Sequence, residues 1–327
     1  MGRDDSTGAN GVARAGKPLR IGTRGSALAV AQTERVAARL RELTGRQTSI
    51  VRVTTHGDVS RASLSSLGGT GVFATELREA LREGACDLVV HSLKDLPTAP
   101  APGLVISAHP AREDVRDALC AGGPDGPGLR ELPGGARVGT GSPRRVAQLR
   151  ALRPDLEIRD IRGNIDTRLG FVSSGELDAV LLACAGLERL GRTGAITRRL
   201  DPEAFPPAPG QGCLAVEQRE GETIPGLDEL DDPACRAAVE AERGVLAQLQ
   251  AGCAAPVAAL ATTAERLLRL SATVYAMDGT ERVTATASVP WSPDRAGAAA
   301  REAALRVSEE LFARGAAELL PPTGEAP

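Results

Sequence analysis

Aromatic side chains are scarce in this 327-residue chain, with one Trp, one Tyr and four Phe. That scarcity excludes a surface built to stack nucleic-acid bases. Lysine is scarcer still: of 39 basic residues only Lys17 and Lys94 are lysines. Six cysteines are present, Cys86, Cys120, Cys184, Cys213, Cys235 and Cys253, and no two form a Cys-x-x-Cys pair. A zinc ribbon and a thioredoxin-type centre are therefore excluded. No apolar run approaches the roughly 20 residues of a membrane span. Residues 1–16 are polar and rich in Gly and Ala, without the apolar core of a secretory signal, and read as a disordered tail on a cytoplasmic protein. A Walker-type Gly-Lys-Ser/Thr and a complete Gly-x-Gly-x-x-Gly are both missing, which argues against nucleotide chemistry. The net charge of -3 excludes a general polyanion binder.

What positive charge there is gathers locally. Gly139-Thr-Gly-Ser-Pro-Arg-Arg145 and Arg162-Gly-Asn-Ile-Asp-Thr-Arg168 place four guanidiniums beside short Gly/Ser/Thr turns. In the first, an apolar stub ends at Val138 and a helical pattern runs from Val146 to about Arg153, with Ser142 as N-cap and Pro143 at the first helical position. Arg144 and Arg145 in a first turn oppose the helix dipole unless an anion rests there. A second unit of this type opens the chain: Leu19-Arg20-Ile21, then Gly22-Thr-Arg-Gly-Ser26, then a helix from Ala27 to about Leu43 capped by Ser26. Two matching strand-turn-helix units predict two α/β domains, each presenting an anion site at the carboxyl ends of its strands.

Asp87-Leu-Val-Val-His-Ser-Leu-Lys-Asp-Leu-Pro-Thr98 reads as a buried parallel strand that delivers Ser92, Lys94 and Asp95 at its carboxyl end. Lys94 supplies a compact ammonium where the chain otherwise uses arginine. Asp95 is a lone carboxylate among cations, kept ionised and suited to hold N–H groups or a transient cation. Cys86, Cys184 and Cys213 sit in apolar or small-residue contexts and read as buried, inert thiols. Cys253, in Gln250-Ala-Gly-Cys-Ala-Ala-Pro256, lies instead on a glycine-flanked turn open to chemistry. From there the pattern predicts a helix over 232–250, strands near 257–261, 267–275 and 282–288 with a hairpin turn at Asp278-Gly279, and a final helix near 294–314.

Taken together, Ile21-Gly-Thr-Arg-Gly-Ser26 with Gln32, His91-Ser-Leu-Lys-Asp95, Gly139–Arg145, Arg162–Arg168, Pro209-Gly-Gln-Gly212 and Leu249-Gln-Ala-Gly-Cys253 before Pro256 give the chain a resemblance to porphobilinogen deaminases from about Arg20 to Leu320. The resemblance implies two α/β domains like periplasmic binding proteins, over 17–111 with 213–230 and over 117–206, and a smaller α+β domain over 232–320 carrying the cysteine loop. Pro206-Pro-Ala-Pro-Gly210 is the return crossing, and the linkers near 111–117 and 206–212 are expected to allow domain movement.

The resemblance further implies a dipyrromethane cofactor joined to Cys253 by a thioether. On it four porphobilinogens are deaminated and linked head to tail, and hydrolysis releases hydroxymethylbilane for haem and porphyrin synthesis. Each pyrrole carries an acetate and a propionate, and well-shielded charge-assisted contacts contribute about 1.5–3 kcal/mol each. Asp95 is the implied catalytic carboxylate. Lys94, Thr140, Ser142, Arg144, Arg145, Arg162 and Gly163 join it in holding the cofactor, while Arg24, Ser26, Gln32, Ser92, Arg168, Arg189 and Gln211 are implied for the substrate. No metal, nucleic acid or membrane partner is expected, and the chain is expected to be a monomer.

Three positions depart from the family pattern. In the loop 56–71 and just after it, Thr70 and Thr75 replace common lysines, Gly141 replaces a common serine and Ala255 replaces a β-branched residue. A periplasmic binding protein would share the two-lobed clamp but should carry a secretory signal and has no use for a cysteine-bearing third domain.

Overall fold

In the computed structural model, residues 17–55, 74–252 and 255–320 are described. The tail 1–16, the loop 56–71 with Thr70, and Cys253 lie outside the described residues.

The first sheet begins with β1 (Leu19–Arg24). It leads into α1 (Ala27–Thr44), where Ser26 Oγ accepts from the Ala29 amide at 3.3 Å and Gly45, left-handed at φ 67, ends the helix. Val36, Ala37 and Leu40 of α1 pack on Leu19 and Ile21 of β1 and on Leu88 and Val90. β2 (Thr48–Val53) and, beyond α2 (Thr75–Arg82), β3 (Leu88–Ser92) both run parallel to β1. After β4 (Leu104–Ala108) the chain crosses over and builds the second sheet from β5 (Asp117–Cys120) and β6 (Arg137–Gly139). α3 (Pro143–Leu152), β7 (Glu157–Arg159), α4 (Ile165–Ser173), β8 (Ala179–Ala183), α5 (Cys184–Arg189) and β9 (Arg198–Arg199) complete it. The chain then returns, and β10 (Leu214–Arg219) inserts antiparallel between β3 and β4.

The sheet orders are β2-β1-β3-β10-β4 and β7-β6-β8-β5-β9. They are the same plan twice: a parallel trio, then a strand donated by a crossing and paired antiparallel. This is the duplicated clamp of periplasmic-binding-protein-like domains, and ligands in such sheets lie beyond the carboxyl ends of the parallel strands.

A third, smaller unit follows a short α6 (Leu227–Leu230). In it α7 (Pro233–Gln248), capped by Asp232 Oδ1 on the amides of Ala234 and Cys235, and α8 (Ala296–Ala313) cover one face of an antiparallel sheet. Its strands are β11 (Val257–Ala264), β12 (Leu267–Tyr275) and β13 (Arg282–Pro290), and α9 (Ala316–Leu319) closes the described chain. The interface is rich in alanine, including Ala237, Ala241, Ala300 and Ala303. Small side chains let the helices approach closely.

Boundaries differ from the sequence expectation where pairing outweighs local signals. The strands expected to stop at 261 and 288 run on to Ala264 and Pro290, because unbroken register with β12 continues past the polar residues. The helix expected from Val146 begins at Pro143, whose fixed φ suits a first turn. At the hairpin, Asp278 Oδ1 accepts from the Thr280 amide at 3.0 Å.

Both crossings and the third unit meet at Glu242, which is fully buried. Arg112 Nη1 and Nη2 donate to its two oxygens at 2.6 and 2.9 Å, and the amides of Gly210 and Ala261 add 2.7 and 2.8 Å contacts. Beside this node Gly212 has φ 85, and a Cβ there would stand 2.6 Å from the Glu113 carbonyl. Among the described residues no helix is long and apolar enough to cross a membrane.

Candidate active site

The carboxyl end of β3 passes directly into a 3-10 turn, Leu93–Asp95. Leu93 is fully buried and anchors the turn, while Lys94 and Asp95 project from either side of it. Arg243, on α7, fastens the turn from behind by donating to the carbonyls of Leu93, Leu96 and Pro97 at 3.2, 2.9 and 2.6 Å. Sequence reading missed Arg243, because nothing in its local pattern sets it apart from a surface arginine. Asp95 is exposed and lines one cleft with Arg24, Gln32, His91 and Ser92. Ser92 Oγ lies 3.0 Å from Gln32 Nε2, so β3 and α1 are pinned together at the cleft floor. Below them His91 Nε2 sits 3.3 Å from Glu217 Oε2, and Arg78 holds the same carboxylate at 2.9 Å.

The second sheet supplies the facing wall. Ser142 stands at the N-cap of α3, yet its hydroxyl makes no capping bond. Its amide donates instead to Thr140 Oγ1 at 3.2 Å, a bond that organises the turn while leaving the Ser142 hydroxyl uncommitted to the helix. Gly141 has a physical reason here: a Cβ would stand 2.8 Å from the Ile161 carbonyl, so the family's serine requires a shift of that backbone.

Arg144 and Arg145 find an anion within the chain. They are 3% and 5% exposed, and both pair with Asp117, at 2.7 and 2.5 Å. The expected reading, two guanidiniums awaiting a ligand, omitted this carboxylate. Its signal was a charged residue opening the apolar run Asp117-Ala-Leu-Cys120. Burial works against ionised Asp117, but the two guanidiniums outweigh it and hold its carboxyl well below the usual range. Arg144 Nε remains buried without a hydrogen-bond partner.

Arg162, Gly163 and Arg168 form the rim. Gly163, at φ 104, turns its carbonyl to accept Arg168 Nε at 2.9 Å, and Asn164 caps α4 through the Thr167 amide. Arg162 Nε is buried with no hydrogen-bond partner. Burial pushes Arg168 down to about 10, and the guanidiniums of Arg145 and Arg162 push the same way against Asp160 and Asp95. Burial likewise lowers Lys94 to about 8, opposed by Asp95 and assisted by Arg145. These cations crowd one another from two sheets, an arrangement that suits a ligand bearing several carboxylates.

Two expected binding residues stand apart from this cleft. Arg189 directs Nε to Glu113 at 2.6 Å and Nη2 to the Gly212 carbonyl at 3.0 Å, beside a separate cavity lined by Arg35, Pro110 and Asp232. Gln211 is 1% exposed; its Nε2 donates to Asp117 and to the Val115 carbonyl, and its Oε1 accepts from Lys94 at 3.3 Å. The structure therefore places Gln211 as a bridge inside the protein.

Around Cys253, the flanking turn is closed by the Ala255 amide donating to the Gly252 carbonyl at 3.0 Å. The five other cysteines are all buried, and Cys213 Sγ lies 3.3 Å from Cys235 Sγ. Among the described residues no group of three His, Cys, Asp or Glu side chains is placed to hold a metal ion.

The fold and site define a two-lobed α/β clamp with a third small domain and a cationic cleft around one exposed carboxylate. Comparison with known proteins narrows that class. A family profile described as porphobilinogen deaminase, dipyromethane cofactor binding domain, matches residues 19–224, and the C-terminal domain profile of the same family matches 236–313. A porphobilinogen deaminase of Leifsonia xyli is 58% identical, with 94% of this chain and 95% of that protein covered. Those of Thermobifida fusca and Streptomyces coelicolor are 51% and 50% identical, each covering 93% of this chain. The chain belongs to the porphobilinogen deaminase family.

The side chains present fit the dipyrromethane of that family. The unpartnered Arg162 Nε, the uncommitted Ser142 hydroxyl and the mutually repelling Lys94, Arg145, Arg162 and Arg168 can accept the carboxylates that such a pyrrole pair carries.

Proposed function

We propose that this chain is a cytoplasmic, monomeric hydroxymethylbilane synthase, a transferase that deaminates porphobilinogen and joins four units head to tail. The observation that carries this reading is the exposed Asp95 facing a cluster of cations drawn from both sheets. When bound through Cys253, the dipyrromethane supplies the pyrrole terminus to which new units are added.

Lys94, Arg145, Arg162 and Arg168 hold the acetate and propionate groups, and Ser142 and Thr140 order the turn that receives them. Arg24 and Ser26, at the end of β1, serve the incoming substrate on the other side of Asp95. The Asp95 carboxylate accepts the pyrrole N–H and stabilises the positive charge left on the substrate as ammonia departs. Arg243 keeps that carboxylate in place by fixing the backbone on both sides of it. Arg189 contributes at a distance, by fastening the hinge at Glu113 and Gly212.

The test is the intact mass of the denatured chain beside Cys253→Ala, together with porphobilinogen consumption. A mass excess of two linked pyrroles, missing from the variant, and consumption without nucleotide or metal are the expected results. An unmodified wild-type mass persisting after incubation with porphobilinogen would overturn the reading.

A further inference from the structure

Asp117 opens β5 with no exposed surface at all. Three side chains converge on its carboxylate. Arg144 Nη2 donates to Oδ2 at 2.7 Å, Arg145 Nε and Nη2 donate to Oδ1 at 3.1 and 2.5 Å, and Gln211 Nε2 donates to Oδ1 at 2.9 Å. The remaining contacts lock both guanidiniums: Arg144 Nη1 on Gln148 and the Pro206 carbonyl, Arg145 Nη1 on the Leu181 carbonyl. Gln211 comes from the return crossing and its other end receives Lys94, whose neighbour is Asp95. A single carboxylate thus links the arginines of α3, the crossing between lobes and the turn at the end of β3.

We propose that Asp117 is a positioning residue for the reaction: it fixes the two arginines in one orientation and passes that orientation through Gln211 to Lys94 beside Asp95. The inference rests on the activity proposed above. Two guanidiniums at adjacent positions of one helical turn repel, and the shared carboxylate both cancels one charge and sets where each fork points. An asparagine at 117 would keep the volume, but its amide group must face a guanidinium or the amide of Gln211, donor against donor. One of the three contacts is then lost in either orientation.

Charge follows the same route. Lys94 is faced by Asp95 on its own turn, by Asp117 on β5 and by Arg144 and Arg145 on α3; Asp95 and Asp117 favour its ammonium form, while the arginines oppose it. Removing the Asp117 charge therefore makes Lys94 lose its proton at lower pH.

The experiment compares wild type, Asp117→Asn and Gln211→Met. Each is prepared as unmodified chain by expression without porphobilinogen supply, then followed for gain of two pyrrole units by intact mass and for kcat, KM and pH profile once loaded. Asp117→Asn is expected to load about tenfold or more slowly, to lose kcat about tenfold or more, and to move the alkaline limb of its profile to lower pH. Wild-type loading, kcat and limb in a variant that only melts earlier would reduce Asp117 to a structural role and overturn the proposal. If Asp117→Asn does not fold, Gln211→Met decides, since it leaves the Asp117–arginine pairs and cuts only the bridge: a fall in kcat with normal loading supports the proposal, and wild-type kcat overturns it. Wild type that neither gains mass nor consumes porphobilinogen would overturn the activity itself, an outcome distinct from either variant result.

Discussion

Asp95 and Lys94 are adjacent in sequence and opposite in environment, and each difference predicts something measurable. Asp95 is exposed at the cleft, so Asp95→Asn removes a negative charge with little change in volume and nothing in the core to disturb. It is expected to lower kcat by about 10²–10⁴-fold, the range for a positioned acid–base or charge-stabilising group, with an unchanged circular dichroism spectrum. Near-normal turnover would remove Asp95 from the mechanism. Lys94 is lowered to about 8, below its ordinary value of 10.5, chiefly by burial. Between those two pH values the unfolded chain holds a proton that the folded chain has released, so unfolding free energy from this group rises with pH across about 8–10. Activity should run the other way, because the ammonium is what holds carboxylates. Urea midpoints and kcat/KM recorded over the same pH series test both signs; parallel trends in the two quantities would refute the assignment.

At the scale of elements, the strand-turn-helix units that carry the site were legible because their signals are local. Ser26 and Pro143 mark helix starts, and β3 announces itself as an apolar run that ends in Ser92 and Asp95. What holds those elements to each other was not legible, because Arg243, Asp117 and Glu242 act through partners remote in the chain, with separations reaching 150 positions. Arg189 and Gln211 were expected to meet the ligand and lie instead against hinge carbonyls and Asp117, since a motif names a residue type without its partner. Arg243 gives the sharpest test of these unseen ties. Arg243→Met keeps most of the aliphatic bulk and removes the donors to Leu93, Leu96 and Pro97, so the 3-10 turn gains freedom. A displacement of about 1 Å at a reacting group can cost about 10²-fold in rate. The variant is expected to carry the normal cofactor mass and to lose kcat by about 10- to 100-fold; a wild-type kcat would show that the turn is held by Leu93 packing alone.

Across the whole molecule, the two crossings let both lobes share one chain path, and Glu242 ties that path to the third unit through Arg112, Gly210 and Ala261. A buried ion pair of this kind contributes little over an apolar replacement of equal shape, but removing one partner strands a charge out of water. Glu242→Gln leaves the Arg112 guanidinium 11% exposed without its counter-ion. The expected loss is about 3–5 kcal/mol of unfolding free energy, read from urea midpoints at constant m. Arg112→Met in the same chain removes the stranded charge, so the double variant should recover a large part of that loss although it has fewer polar contacts than either single variant. Equal and additive losses would mean that the two side chains act independently. The alternative would place the tie between the crossings and the third unit in the packing around Gly212, where a Cβ has no room. Recovery in the double variant, together with low turnover, would separate two roles of Glu242: the charge balance that the methionine restores, and the alignment of both crossings with the cysteine-bearing unit that only the carboxylate provides.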